Sequence, residues 1–443
     1  MSPITTPTSF TVGVALDGAG WHPAAWREPD AQPDALFTAA YWTELLRTAD
    51  AAGLDYATLD DALSLQHDAA PGSGAGESAA AAPRADRVTG RLDALLTASW
   101  VAPRTAGIGL IPTVTTTHTE PFHVATALQT LDHVSEGRGG WQLRISGDAA
   151  SAAAFGRRAA PAIDLAEVVA GRPDAALDEL LDEAADVAEV ARGLWGSWDA
   201  DAIIRDAATG RFLDRDRVHH INFAGERFTV AGPSIVPRSP QGQLPITVLS
   251  HSPRVHELAA RAADAVFVTP ESDSVRAGAS RGLTVAEVIA QVRAAERRVG
   301  RAESGGREPL RIIADLAVIF DTAAEPAAAR LARLDDAAGE PFASDARVVA
   351  GGVAHIADAI ERWRDAGVDG VRLRPLTLPG DLREITETLL PLLRARGIAA
   401  ADRSPRQLRE RLGLAPAPLR RGDAERTNAE HTNTQTERTE QAA

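Results

Sequence analysis

The chain of 443 residues contains no cysteine, one methionine and two tyrosines. Without cysteine there are no disulfides, thiolate nucleophiles, iron–sulfur ligands or cysteine zinc sites. Lysine is absent too, because all 46 basic residues are arginine. A Walker-type phosphate loop and a pyridoxal Schiff base both need a lysine, so both are excluded. A GC-rich coding bias accounts for the arginines, and the exclusions hold whatever the cause. No run of about 18 apolar residues occurs, so no transmembrane helix is expected. The opening MSPITTPTSF lacks the basic region and apolar core of a signal peptide, and a cytoplasmic location is the expectation. VALDGAGWHP after the first strand is not a dinucleotide fingerprint, so a Rossmann reading is disfavoured. The formal charge of −15 speaks against a nucleic-acid face, which needs a basic surface.

Hydrophobic residues make up 44% of the chain, ample for a core. The stretch Ala106–Ser146 predicts a strand buried on both faces, a polar loop, a helix opened by Pro121 and a second strand after the glycines 137, 139 and 140. Two buried strands joined by a helix form a parallel βαβ unit. The same alternation places strands at Val12–Asp17, Tyr56–Asp61, Pro245–Ser250, Ala265–Thr269, Leu310–Phe320 and Gly370–Pro375. Eight such strands, each followed by a helix, predict an α/β fold of the TIM-like (β/α)₈ barrel type, over a doubly wound open sheet. Residues 147–244 read as an insertion after strand four, helical at first and then a hairpin over His220–Ala231. Residues 67–88 read as a mobile surface loop. From Ala415 to Ala443 the composition turns polar, and a disordered tail is expected.

In such folds chemistry collects where strands end. The best anion site is the helix start after strand five. Ser250 or Ser252 can cap it, Pro253 takes the first helical position, and Arg254 adds a charge. Capping a purely structural helix is the plainer account of the same residues. Asp17, Asp60 and Asp61 end strands one and two. His118 lies in the loop after strand three and is the most interesting of the histidines, none of which forms a metal signature. Arg144 can bind a substrate carboxylate or phosphate, or pair with an acid.

Several stretches together resemble a known family: LDYATLDD (Leu54–Asp61), GIGLIPTVTTTHTEPFHVA (Gly107–Ala125), TLDHVSEGRGGWQ (Thr130–Gln142), FAGERFTVAGP (Phe223–Pro233), SPQGQLPI (Ser239–Ile246), ELAARAADAVF (Glu257–Phe267) and LRERLGL (Leu408–Leu414). These resemble bacterial luciferase-like, flavin-dependent monooxygenases, in particular the nitrilotriacetate, dibenzothiophene-sulfone and long-chain-alkane group. The resemblance implies reduced FMN supplied by a separate reductase, O₂ as co-substrate, a small or medium organic substrate, and a dimer or tetramer. It places Asp61, Thr113, Val114, Gln142 and Ser146 around the flavin ring. Ser250, His251, Ser252 and Arg254 fall at its phosphate, and His118 and Arg144 are the candidates for the chemistry. The chain departs from the family pattern in several places. Gln142 stands where Asn is usual, and Arg144 where a small apolar residue is common. A phosphate-gripping tyrosine is missing, with Leu181 near its place, and His251, Arg254 or Arg157–Arg158 are possible substitutes. Two alternatives follow from these departures: a deazaflavin oxidoreductase on the same barrel, or a degenerate, non-catalytic flavin-binding protein.

Overall fold

The computed structural model describes residues 10–66, 84–169, 172–273, 281–303, 307–401, 404 and 406–419. Most of the expected mobile loop (residues 67–83) and most of the expected tail (residues 420–443) lie outside the described residues. Eight parallel strands close on themselves: β1 (Thr11–Leu16), β2 (Tyr56–Leu59), β3 (Gly109–Thr115), β4 (Trp141–Arg144), then, after the hairpins β5 (Ile203–Asp206)–β6 (Arg211–Leu213) and β7 (Phe223–Ala224)–β8 (Thr229–Val230), β9 (Ile246–Ser250), β10 (Ala265–Val268), β11 (Arg311–Phe320) and β13 (Gly370–Pro375). β13 returns to β1 with Thr11 opposite Gly370, which completes the ring. The expected (β/α)₈ barrel is therefore the observed architecture.

β12 (Arg347–Gly351) was not expected. It pairs with the second half of the long β11, from Leu316 to Phe320, while β10 pairs with the first half. Its sequence RVVAG is short and ends in glycine, so its pattern alone does not distinguish it from a connection. The hairpin β5–β6 was also missed, because its residues are half-buried or exposed and carry little alternation.

Helices α1 (Ala39–Ala52), α2 (Ala94–Val101) and α3 (Pro121–Val134) cover the outside of the first strands. α4 (Ala149–Phe155), α5 (Leu165–Val169) and α6 (Ala175–Trp195) follow β4. α6 falls within the expected insertion, yet it packs between α3 and α7 (Pro253–Ala262) as the crossover helix of this part of the ring. The cause is its apolar stripe, which buries Leu181, Ala184, Ala188, Ala191 and Trp195. Trp195 donates to the Ala125 carbonyl at 2.9 Å and meets Trp141 edge to face. The remaining layer is α8 (Val285–Arg298), α9 (Ala327–Ala338), α10 (Val353–Asp365), α11 (Gly380–Glu384) and α12 (Leu390–Ala395). A π-helical stretch, Ile385–Leu389, joins the last two.

The bottom of the barrel, where the strands begin, is stoppered by α13 (Leu408–Arg411) and the residues after it. Leu408, Leu412 and Leu414 form one apolar cluster with Tyr56, Ile111, Phe267 and Ile313. Glycines make the room. A Cβ at Gly109 would lie 2.5 Å from Leu408, one at Gly140 2.7 Å from it, and one at Gly13 2.2 Å from the Tyr56 ring. The barrel is thus closed below and has its functional opening at the rim where the strands end.

Candidate active site

Above the apolar layer the barrel interior turns ionic. Arg372 and Arg374 point inward from alternate positions of β13, and Asp315 faces them from β11. Arg372 grips Asp315 with two hydrogen bonds of 2.7 and 2.5 Å, and Arg374 adds one of 2.9 Å to the same carboxylate and a further close contact. None of the three exceeds 2% exposure. Such charges survive burial only when paired and hydrogen-bonded. The Arg372 guanidinium also lies 3.7 Å from the Phe267 ring centre, closing the polar layer onto the apolar one.

The chain of charges continues upward. Arg374 reaches Asp345 at 2.5 Å, and Asp345 reaches His251 Nε2 at 3.1 Å. Burial pushes the Asp345 carboxyl up, but Arg374 and His251 pull harder and hold it well below the usual carboxylate range. His251 Nδ1 meets Thr269 Oγ1 at 3.1 Å, which fixes the ring at the β9–β10 edge of the rim.

Gln142 joins this network. Its Oε1 accepts from Arg372 at 2.6 Å. Arginine has no acceptor, so the amide oxygen must face Arg372 and the NH₂ must face away from it. Thr113 is the register partner of Gln142 on β3, and among the described residues its buried Oγ1 has no hydrogen-bond partner. Val114 gives its carbonyl to Trp141 Nε1 at 2.9 Å. Ser146 closes the end of β4, its N–H donating to Thr117 Oγ1 and its hydroxyl to Asp148.

β4 and β9 are neighbours, so the helix start after β9 stands beside Gln142. Ser252 is the N-cap of α7, accepting from the Val255 N–H at 3.5 Å, and Pro253 is the first helical residue. Ser250 turns the other way, to His256 Nδ1 at 2.6 Å; burial lowers the His256 pKa to about 4. Arg254 leans outward to Asp178 and Glu257, at 2.8 and 2.6 Å, so its charge is already matched. Arg157 and Arg158 pair with Glu120 and Glu183. Leu181, near the place of the missing tyrosine, is packed in the core.

On the opposite arc, Asp61 is held by two backbone donors, Ala62 N–H at 2.7 Å and Ala94 N–H at 2.8 Å, which tie the β2 end to the start of α2. Arg144 crosses from β4 to Asp60 at 3.1 Å and to the Asp61 carbonyl at 2.7 Å. Of the readings open to it, pairing with an acid is the one seen. His118 has a left-handed backbone (φ 69), stacks on Phe155 of α4 at 5.5 Å, and among the described residues neither buried ring nitrogen has a partner. Burial lowers its pKa, aided by Arg158.

The rim therefore brings together Thr113, Gln142, Ser146 and the α7 start from three consecutive strands of the ring, and His118 lies in the loop after β3. Asp61 and Arg144 stand apart, around Asp60. Sequence reading missed Asp315, Asp345, Arg372 and Arg374. A signal was present: GVRLRP and RIIADLAVIF each put charge on one face of an otherwise apolar strand, and buried charges require one another. The residues present fit a flavin mononucleotide. The capped helix start offers backbone N–H groups to a phosphate, and Thr113 offers a buried hydroxyl that nothing in the described protein satisfies.

Residues 19–370 match the family described as luciferase-like monooxygenase. N-acetyl-S-(2-succino)cysteine monooxygenase of Bacillus subtilis (strain 168) is 29% identical over 91% of this chain and 96% of its own. Nitrilotriacetate monooxygenase component A of Aminobacter aminovorans is 27% identical over 92% and 96%. Among solved structures, a riboflavin lyase with modified FMN and riboflavin superposes with a TM-score of 0.75 at 24% identity, covering 94% of this chain and 99% of that one. A long-chain alkane monooxygenase gives 0.74 at 22%, covering 95% and 98%. At these identities the two structures speak for the fold.

Proposed function

The chain belongs to the luciferase-like monooxygenases, and from that premise we propose that it loads reduced FMN along the β3–β4–β9 arc of the rim and oxygenates a small organic molecule with O₂. One observation carries the placement: Thr113, Gln142 and the Ser252-capped start of α7 come from three neighbouring strands and line one arc. The reduced flavin supplies the electrons that split O₂ into an inserted oxygen atom and water.

The protein's part is binding, orientation and exclusion of water. Ser252 and the free N–H groups of the first α7 turn hold the phosphate dianion, with the helix dipole in their favour. Thr113 donates a hydrogen bond from its hydroxyl and Gln142 from its NH₂, since Arg372 has claimed the amide oxygen. The His118–Phe155 stack covers the β3–β4 side and keeps bulk water away. Asp17, raised to about 7 by burial and by Asp60, holds a proton at its carboxyl near neutral pH.

The same reading includes a separate flavin reductase and a homo-oligomer. Leu96 and Trp100, one turn apart on α2 and 69% and 48% exposed, support an apolar contact between copies. Anaerobic titration with reduced FMN tests the core of the reading. Saturable binding is expected, followed by reductase-dependent O₂ consumption above free-flavin autoxidation once a substrate is supplied. Absence of saturable binding overturns it.

A further inference from the structure

Helix α2 turns its larger apolar side chains away from the barrel. Its eight residues, ALLTASWV, carry no charge, and those it buries are Ala94, Ala98 and Val101. Leu96 and Trp100 face outward instead. A helix apolar on all sides is ordinarily buried. Beside Trp100 lies an open groove of about 660 Å³, lined on the α1 side by the small residues Ala39, Ala40, Thr43, Thr48 and Ala51. Arg104 lies over the Trp100 ring, 3.7 Å from its centre, and steadies the indole at the edge of the groove.

The groove also holds charges without partners. Glu44, Arg47 and Arg104 line it, and among the described residues none of the three forms an ion pair within the chain. Arg47 donates to the Arg104 carbonyl at 3.1 Å and Arg104 to the Trp100 carbonyl, contacts that orient both side chains and neutralise neither. One face therefore carries an aromatic knob, a hole walled by small residues, and unpaired charges of both signs. Such a face is complementary to itself. Under a two-fold axis each Trp100 enters the other copy's groove, and each Glu44 meets the other copy's Arg47. Tryptophan and arginine are also the residue types that dominate interface energetics.

We propose that a second copy of this chain docks across α1 and α2 in this way, and that the contact braces the rim of the barrel. The path between the two is short. α2 begins at the rim, where the Ala94 N–H donates to Asp61 at 2.8 Å. Arg91, just before the helix, binds Asp60, which also holds Arg144 of β4. With two alanines and a valine as its inner anchors, α2 has little buried apolar contact of its own, and local stability follows such contact. A partner copy covering Leu96 and Trp100 supplies what is missing. The proposal deepens the homo-oligomer part of the functional reading and makes no use of the flavin.

Sedimentation velocity of the full-length protein at micromolar concentration tests the docking. A dimer, or a tetramer built from it, is expected. Trp100→Glu spoils the knob and Thr43→Trp fills the hole, and each should weaken association at least about hundredfold while keeping the native circular dichroism. Glu44→Arg should weaken it about tenfold, and adding Arg47→Glu to that variant should restore it. A monomeric parent, an unchanged assembly in folded Trp100→Glu, or a charge swap that restores nothing overturns the docking. Hydrogen exchange tests the bracing: the Ala94 amide should exchange about tenfold faster in the monomeric variant than in the parent, and equal rates overturn it. Reduced FMN titrated in parallel separates the readings. A dimer that binds no flavin overturns the flavin reading alone, and a flavin-binding monomer overturns the docking alone.

Discussion

Arg372 serves four neighbours with one side chain. It neutralises Asp315, reaches Thr58 at 3.3 Å, covers Phe267 and turns the Gln142 amide. Arg372→Met keeps much of the volume but leaves Asp315 with Arg374 alone and Gln142 Oε1 without its donor. Removing one partner of a buried pair costs about 3–5 kcal/mol. The remaining Arg374 bonds place this variant near about 3, read as a lower urea midpoint at unchanged slope. The sequence announces these residues only by their chemistry. Asp315 stands alone in an apolar strand and its arginines lie 57 and 59 positions further on, so the period of the pattern reveals a strand and not its partners. Asp345 is harder still, because it sits in the connection ahead of β12, which looked like a link between helices.

At the scale of elements, α7 is the most informative helix. Ser252 and Pro253 mark its start in the sequence as plainly as in the structure, and what remained open was whether that start serves a ligand or only the helix. Ser252→Ala separates the two. As a cap the serine is worth about 1 kcal/mol of stability. If it also holds a phosphate, the variant should lose about tenfold in affinity for reduced FMN and none for reduced riboflavin, which lacks the phosphate. Equal loss for both flavins, or for neither, shows a cap and nothing more. The barrel strands were legible because each is an apolar run bounded by turn residues. The role of α6 was not, since a helix that follows a long polar stretch looks the same whether it belongs to the ring or to an excursion from it.

For the whole molecule, opposing titrations shape stability against pH. His256 has a folded pKa of about 4 against 6.5; the unfolded chain binds more protons between those values, so stability is lost as pH falls through that window. The contribution is about 3 kcal/mol. Asp264, at about 2 against 3.8, adds a further loss as pH falls below 3.8. Asp17 acts in the opposite direction. Its folded pKa of about 7 lies above 3.8, so the folded state holds the extra proton and stability declines as pH rises between them, by less than full burial would give because Asp17 is partly exposed. The two slopes offset each other between about pH 4 and 6.5. Asp17→Asn should remove one of them, giving thermal midpoints that climb steeply with pH over this range and exceed those of the parent at about pH 8.

The leucine stopper at the base of the barrel has a consequence for traffic. Leu408, Leu412 and Leu414 seal the lower end, and Gly109 and Gly140 have given up their side chains to let them in. Passage is left to the rim where the strands end. Whatever enters by that rim must leave by it, so ligands form a queue, and the order of arrival constrains the order of departure.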